Sequence, residues 1–552
     1  MFLCYDIKGI QRFIFSVPRL KCIVGGSALI DAFDSKAHLL GGRIFTGGGR
    51  GAFQCANSHH VESLEDELRA WAGDAGLDIQ FGCDDELAKA AKNADRFYPY
   101  APLNLEGVPC EISGYLPAKS KGKVNEKIAR RMDEGEKDAF GSGILKEKKM
   151  EDRLPDHLKG VHIEFFKNVS PESALDEDEF DGRFDWRTDQ LRANAAINSI
   201  GRRNRWAVIA MDGNDIGSQF AAFQAKAGNN QEQLVEWLTK MSDCMKQCTR
   251  NAFIAATLRV LDQWVEDADL SLCWYPNRDN EKTIVLPMRP LILGGDDVIL
   301  LCHSRYAFEF VRTMAAEFER ESLTAAKDSK LDELWPASGN RLTMSAGVLF
   351  TNLHLPLHSA IPYAEALLKN AKGVYRKKTS VSSISTASLP SAPSPAAIDF
   401  DVVTDSLLDT PAERRRRELV FIDNELDCKE IRLTKRPYRL DAASTDSTNR
   451  MNDTWGDLNS LANELFELPK SIRSQLLPMM RRSWSERVTF LASIAKRYPE
   501  IKKLFMEEPM ENGEWVIGDG WFDIPGKNRR ESSIADALLL LEEEDRTQQV
   551  TI

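Results

Sequence analysis

Between Pro290 and Cys302 the chain reads Pro-Leu-Ile-Leu, then Gly-Gly-Asp-Asp, then Val-Ile-Leu-Leu-Cys. Two short apolar runs around paired glycines predict a β-hairpin whose tip carries both carboxylates, Asp296 and Asp297. Taken alone, such a turn is usually only a turn, because Asp and Gly are favoured there for conformational reasons. Its neighbours give it weight. Upstream, Trp206–Met211 is a buried-strand candidate that ends at Asp212-Gly213-Asn214-Asp215. Leu234, Leu238, Met241, Met245 and Cys248 then recur every three or four residues, the spacing of one helical face. Downstream the pattern predicts a helix over Tyr306–Glu321, a strand over Arg341–Thr351 and a last helix over Ile361–Lys377. In that strand Leu342, Met344, Ala346, Val348 and Phe350 alternate with Thr343, Ser345 and Gly347.

The resulting order, β-α-β-β-α-β-α, matches a ferredoxin-like palm and makes the region α+β. In such a sheet the end of the first strand lies beside the hairpin tip, which brings Asp212 toward Asp296 and Asp297. Clustered carboxylates repel one another unless a cation is present, and hard oxygen ligands suit Mg2+ or Mn2+. Paired ions of this kind activate a hydroxyl and stabilise a leaving pyrophosphate. Asp212, Asp296 and Asp297 are therefore the candidate catalytic residues and, with Gly213, the candidate metal site. Gly294 and Gly295 let phosphate oxygens approach the backbone where a side chain would collide. Lys372 offers a point charge to a triphosphate and Ser345 a hydroxyl. Asn214 and Asp215 join the nucleotide-binding set, and either could face the metal.

At 552 residues the chain has room for about three or four domains. Residues 1–170 form a first zone, 171–201 an acidic, turn-rich linker, and 202–404 the zone just described. Within the last, residues 379–396 form a Ser/Pro/Ala-rich insertion expected to be a mobile loop. Residues 405–552 read as largely helical, with apolar spacing at Leu458, Leu461 and Leu465 and again at Leu476 and Met479. A balance of 72 Lys plus Arg against 84 Asp plus Glu argues against broad electrostatic affinity for nucleic acid, though a local basic groove is compatible with it. No apolar run approaches the ~18 residues of a membrane span, and Asp6, Lys8 and Arg12 interrupt any signal-peptide core. Ten scattered cysteines fit reduced thiols. The expectation is a cytoplasmic protein without a membrane partner.

On Met211-Asp-Gly-Asn-Asp-Ile-Gly217, Leu293-Gly-Gly-Asp-Asp-Val298, Thr343-Met-Ser-Ala-Gly347, Ala371-Lys372 and Ala397-Ile-Asp-Phe400, the sequence resembles the CRISPR-associated polymerases. These are the large subunits of type III CRISPR effectors and their stand-alone relatives, palm-domain nucleotidyl cyclases more distantly similar to GGDEF diguanylate cyclases. Asp6-Ile-Lys-Gly-Ile-Gln-Arg-Phe-Ile-Phe15 and Ile23-Val-Gly-Gly-Ser-Ala-Leu29 resemble the start of that family's first palm, with Phe45-Thr-Gly-Gly-Gly-Arg-Gly51 as its hairpin. The resemblance implies two ferredoxin-like palms, the first degenerate and the second carrying the GGDD hairpin, followed by a helical C-terminal domain. It also implies that the palms pack as a pseudo-dimer, each offering one nucleotide to a shared cleft. Gly47 and Gly48 would then admit a nucleotide without a metal, as would Gly25, Gly26 and Ser27, which read equally well as a helix start.

In activity, the resemblance implies a nucleotidyltransferase that joins ATP 3′ to 5′ into cyclic oligo- or dinucleotide second messengers, releasing pyrophosphate, in antiviral defence. RNA or CRISPR effector subunits are the implied partners. The alternatives are a palm-fold scaffold that binds CRISPR RNA and partner subunits with a vestigial acidic site, and a template-directed polymerase. The sequence also departs from the family: none of the eight histidines is followed by aspartate, so no HD nuclease doublet exists, and the zinc-binding cysteine pairs of many relatives are absent. Cys110 stands alone, and Cys244 with Cys248 fits core packing on a helix. His59-His60 and His354/His358 read as surface histidines. Arg414–Arg417 reads as a solvated face, and Arg202, Arg203 and Arg205 as candidate contacts to phosphate or a partner.

Overall fold

Every residue of the first strand, β1 (Phe2–Ile7), is buried, and the sheet of the N-terminal region is built around it. In this computed structural model the described residues are 1–16, 20–96, 130–131, 162–165, 205–228, 230–267, 274–276, 282–286, 288–328, 341–352, 355–375, 394–403, 409–423, 429–440, 454–498, 506–509, 515–517, 522–523 and 529–544. The expected linker 171–201, residues 379–393 of the insertion, Cys110, Arg202, Arg203 and His354 lie outside them. After β1 come α1 (Ile10–Phe15), α2 (Leu20–His38), β2 (Arg43–Gly47), β3 (Arg50–Gln54), α3 (Ser58–Ala75), β4 (Ile79–Asp84) and α4 (Leu87–Asp95). Helix α3 starts where the Asn57 side chain accepts from the His60 N–H at 2.9 Å, and it stops at Gly76, whose φ of 75° suits a left-handed cap. The strands form an antiparallel sheet in the order β2-β3-β1-β4.

Gly25, Gly26 and Ser27 lie well inside α2 rather than at a helix start, which corrects that expectation. The physical reason is packing. A Cβ at Gly26 would stand 3.4 Å from the Ile14 Cα, so the small residue lets α1 lie close against α2.

The same topology recurs further along. After β5 (His162–Phe165) come β6 (Arg205–Gly213), α5 (Ile216–Ala227) and α6 (Gln231–Asp267). Next are β7 (Trp274–Pro276), β8 (Lys282–Leu286), β9 (Met288–Gly294), β10 (Asp297–His303) and α7 (Ser304–Asp328). The series closes with β11 (Met344–Asn352), α8 (Leu357–Tyr375) and β12 (Ala397–Val403). Strands β5, β8 and β7 form a small side sheet. The larger sheet contains the order β9-β10-β6-β11, which repeats β2-β3-β1-β4 element for element. Pro290 is tolerated in β9 because that strand is an edge, and a register shift between Ile299 and Leu300 accommodates it.

Two compact units are distinguished. The first comprises 1–344, 351–362 and 377–394; the second comprises 345–350, 363–376 and 395–552. The second adds α9 (Pro411–Leu419), β13 (Val420–Asp423), β14 (Lys429–Arg432) and β15 (Tyr438–Arg439). It continues with α10 (Trp455–Phe466), α11 (Lys470–Met480), α12 (Trp484–Arg497), β16 (Met506–Pro509) and β17 (Trp515–Ile517). It ends with β18 (Phe522–Asp523), β19 (Arg529–Glu531) and α13 (Ile534–Glu544). The region therefore carries a sheet, β13-β14-β19-β18, beside its helices. Its strands are too short to show an alternation, and β14 and β19 pair in parallel across a long sequence separation.

The basic run of α9 is not simply a solvated face. Arg415 is buried, and its two terminal nitrogens hold the fully buried Asp399 of β12 at 2.9 and 2.6 Å. Asp401, two residues on, accepts from the Tyr363 hydroxyl at 2.8 Å and pairs with Arg436 at 3.3 Å. Arg436 in turn reaches Asp536 of α13 at 2.8 Å. Arg417, by contrast, sits exposed beside Asp409.

Two glycines mark equivalent close approaches of helix to strand. A Cβ at Gly82 of β4 would land on the Ala90 carbonyl and the Ala94 amide of α4, and one at Gly347 of β11 on the Ala364 carbonyl and the Leu368 amide of α8. Gly82→Ala and Gly347→Ala are each expected to destabilise the protein by about 1–3 kcal/mol in chemical denaturation. Gly73→Ala, on a helix with open space around it, is expected to stabilise by about 0.4–1 kcal/mol.

Candidate functional site

From Trp206 to Met211, β6 is buried on both faces, so its first side chains able to meet a ligand come where the strand runs out, at Asp212. Antiparallel β10 pairs Val298 with Met211, which sets the start of β10, Asp297, beside Asp212. Gly294 pairs with Asp297 and closes a two-residue loop of Gly295 and Asp296. Gly295 has φ 61°, the conformation a mirror-image hairpin turn demands at its first central position. Gly213 completes the arrangement: a Cβ there would stand 3.1 Å from Asp296 Cβ and Oδ2, so the bare backbone lets Asp296 fold back over the strand end.

Asp296 and Asp212 share a hydrogen bond. Burial first, then the charge and hydrogen bond of Asp212, then the charge of Asp297, push the Asp296 carboxyl up to about 8. One proton thus sits between two carboxyl groups at neutral pH, as expected when like charges share a site. No three His, Cys, Asp or Glu side chains among the described residues converge to hold a metal unaided. Mg2+ does not require that: it is commonly held by one or two carboxylates, with water and substrate phosphates completing the shell. The proton-sharing pair is the feature that fits such an ion, because a divalent cation relieves the same repulsion that now raises the Asp296 carboxyl.

Asn214 and Asp215 face elsewhere. Asn214 is buried; its backbone N–H donates to the Thr343 carbonyl at 2.8 Å and its side-chain amide to the Thr343 hydroxyl at 2.9 Å. Asp215 takes a left-handed φ of 57° and accepts from the Ser394 N–H at 3.0 Å. Together they staple the turn that presents Asp212. Ser345 is buried and accepts from the Ala397 N–H at 3.2 Å. Lys372 lies in the last turn of α8, in the second unit.

The repeated sheet order aligns the first palm with the second, and the register makes the alignment residue-specific. Gly47 pairs with Arg50 around a loop of Gly48 and Gly49, φ 61° and 76°, and Asp6 pairs with Arg50. Asp6 therefore holds the place of Asp212, Gly49 that of Asp296 and Arg50 that of Asp297. Arg50 Nε lies 2.9 Å from Asp6, Lys8 pairs with the same carboxylate, and Lys8 also reaches Asp95 at 3.4 Å. The loop is braced from below by buried Asp34, which accepts from the Gly49 N–H at 2.9 Å and from the Tyr5 hydroxyl at 3.0 Å. Burial pushes the Asp34 carboxyl up to about 6, against both hydrogen bonds.

Both hairpins open into one cavity of about 800 Å³ within the first unit. Gly47, Gly48 and Arg50 line it from one side, and Gly294, Gly295, Asp296 and Asp297 from the other. Helix α6 fixes the hairpins relative to each other: the Thr239 hydroxyl donates to the Ile44 carbonyl at 2.6 Å, and Arg43 pairs with Asp243 at 3.3 Å. Of the sequence-based candidates, the structure brings together Asp212, Gly213 and Asp296 at the strand end and gathers Gly47, Gly48, Gly294, Gly295, Asp296 and Asp297 around the cavity. Asp212 and Gly213 stand behind Asp296 rather than in the cavity lining, and Gly25, Gly26, Ser27, Asn214, Asp215, Ser345 and Lys372 do not line it either. Asp6, Lys8, Arg50 and Lys246 line it without having been sequence-based candidates. Hairpin register alone would have paired Asp6 with Arg50, whereas no motif marks Lys246.

Two sheets of one topology, each ending in a glycine hairpin at a common cavity, define a tandem-palm protein. Residues 205–381 match the family model of the Cas10/Cmr2 second palm domain. No curated protein matches the chain. Among solved structures it is similar to a Csm1–Csm4 cassette in complex with cA4, at 14% identity and TM-score 0.41, covering 99% of this chain and 70% of that one. An apo Csm1–Csm4 cassette matches at 13% identity and TM-score 0.38, covering 90% of this chain and 64% of that one. Csm1 of T. onnurineus matches at 15% identity and TM-score 0.32, covering 67% of this chain and 51% of that one.

The raised Asp296 carboxyl has a measurable consequence. A carboxyl whose folded-state pKa is raised stabilises the fold relative to the unfolded chain below about pH 4, and that contribution is lost as pH rises through about 8. In EDTA, Asp296→Asn is therefore expected to melt higher than the parent at pH 8, with the gap closing toward pH 4. Thermal melts across that range check it.

Proposed function

We propose that this chain is a metal-dependent nucleotidyltransferase of the palm type, which joins the 3′-hydroxyl of one nucleotide to the α-phosphate of another and releases pyrophosphate. The observation that supports the reading most is the proton-sharing pair of Asp212, at the end of β6, and Asp296, at the tip of a glycine hairpin that opens into a cavity facing a second glycine hairpin. The match of residues 205–381 to the Cas10/Cmr2 second palm model makes ATP the first substrate to test and a cyclic oligo- or dinucleotide messenger the expected product. Type III CRISPR subunits and their RNA are the expected partners.

In this reading Asp212 and Asp296 hold Mg2+ or Mn2+ together with the Gly213 backbone, and Asp297 assists from the cavity edge. When bound, the cation neutralises the triphosphate and lowers the barrier to hydroxyl attack. Gly294 and Gly295 admit the phosphates: a Cβ at either would meet nothing within 4 Å, so the space beside the loop is open. Asn214 and Asp215 keep the Asp212 turn in place, and Lys372 is the proposed cation for a triphosphate. The proton between Asp212 and Asp296 must leave when the cation arrives, so cation affinity is expected to rise with pH up to about 8, with proton uptake by the buffer measurable calorimetrically.

The decisive test is Asp296→Ala/Asp297→Ala incubated with ATP and Mg2+ or Mn2+, the products being read by mass spectrometry. Both side chains belong to the hairpin turn and their charges oppose folding, so the variant is expected to fold and to melt no lower than the parent, while product formation falls by at least ~10³-fold. Pyrophosphate release at the parental rate would show that the second palm is not the catalytic centre and would favour a scaffold role.

A further inference from the structure

Helix α8, which carries Lys372 in its last turn, is tied to β12 by two side chains on one face of the helix. Tyr363 and Asn370 are separated by close to two full turns. Asp399 and Asp401 are alternate residues of β12 and so project from one side of the strand. The Asn370 amide donates to Asp399 Oδ2 at 2.6 Å, and the Tyr363 hydroxyl to Asp401 Oδ2 at 2.8 Å. In each carboxylate the other oxygen accepts the next backbone N–H, that of Phe400 at 2.9 Å and that of Val402 at 3.0 Å.

Each carboxylate is backed by a buried arginine from the C-terminal part of the chain. Arg415 of α9 sets its guanidinium fork on both oxygens of Asp399, and Arg436 reaches Asp401 Oδ1 at 3.3 Å. A fork of this kind fixes the orientation of the carboxylate as well as its charge. The depth of α8 is fixed separately, because the bare Gly347 already lets the helix backbone press against β11. What the two carboxylates add is the helix's rotation. Lys372 follows Asn370 by two residues, about 200° round the helix and away from the β12 carboxylates, so its direction depends on that rotation.

We propose that these two rungs, Asn370 with Asp399 and Arg415, and Tyr363 with Asp401 and Arg436, position Lys372, so that the C-terminal part of the chain governs the charge offered to a triphosphate. The inference rests on reading Lys372 as the triphosphate cation and adds what aims it. The six are positioning residues, acting through the lysine rather than on the nucleotide. A shift of α9 would then change nucleotide affinity and leave the Asp212 and Asp296 pair untouched.

Asn370→Ala cuts one rung at its exposed end and leaves Asp399 paired with Arg415, so the variant is expected to fold. Without nucleotide, hydrogen exchange of the backbone amides from Ala371 to Val374 should speed up severalfold. With ATP and Mg2+, Lys372→Ala should raise the KM for ATP about tenfold and Asn370→Ala about threefold, kcat being kept, on the scale of a charge-assisted hydrogen bond lost or weakened. In the Lys372→Ala background Asn370→Ala should raise KM no further, the non-additivity of residues that act as one. Arg415→Lys, which keeps the charge and loses the fork, should follow the same pattern, and Asn370→Gln, which still donates, should restore most of the parental KM. Unchanged exchange in Asn370→Ala, a parental KM, or a shift that adds in full to that of Lys372→Ala overturns the inference while Lys372 keeps its role. A parental KM in Lys372→Ala removes the lysine from the site, and the inference with it, but leaves Asp212 and Asp296 standing. Failure of the wider reading shows separately, as product formed by Asp296→Ala/Asp297→Ala.

Discussion

Like charges forced together in a half-buried site raise each other's affinity for protons, and the backbone of the second palm forces Asp212 and Asp296 into that relation. A strand buried up to Met211 delivers Asp212 to the sheet edge. A left-handed Gly295 turns the hairpin tightly enough to bring Asp296 back, and the missing side chain at Gly213 leaves room for it to settle. The carboxyl pair itself does not stabilise the metal-free fold; the surrounding backbone keeps an unfavourable pair in place. The first palm shows the same framework with the conflict removed, because Arg50 and Lys8 occupy the surroundings of Asp6. Which solution a palm adopts turns on a few residues at the hairpin tip, while the strand order stays the same.

The second palm is largely legible in the sequence because its signals are local. Apolar runs of strand length, two glycines and adjacent carboxylates fix a hairpin, and the helix after it follows from side-chain spacing. Legibility ends where identity depends on partners distant in sequence. Arg415 looks like one of four exposed arginines until Asp399 is seen beneath it. Asp6 and Arg50 become a pair only through strand register, and Lys246 shares its helical spacing with ordinary surface lysines. Gly25 and Gly26 mislead because glycines at a helix crossing and at a phosphate site have the same cause, the need for close approach, and composition does not say what approaches.

In the second unit, the ionic network around β12 is held to a stricter standard than the surface pairs elsewhere. Asp399, Asp401 and Asp536 are buried, and each meets an arginine together with hydroxyl or backbone donors. Removing one partner from such a set leaves a charge in a poorly solvated place, whereas exposed pairs such as Lys89 with Glu86 contribute little. The network ties the last strand of the palm to helix α13, so the end of the described chain helps hold the palm's closing strand.

Helix α6 runs unbroken from Gln231 to Asp267 and meets the first hairpin through Thr239, Asp243 and Lys246, which lie on one face at successive turns. A helix of this kind transmits rotational phase. Inserting or deleting a single residue before Thr239 turns that face by about 100° relative to the preceding chain. Such a change would carry the hydroxyl, the carboxylate and the lysine away from the hairpin together, even with every side chain preserved. Chains built on this plan can therefore vary the composition of the helix's outer face freely, but its length between β6 and the first hairpin only in steps that restore the phase.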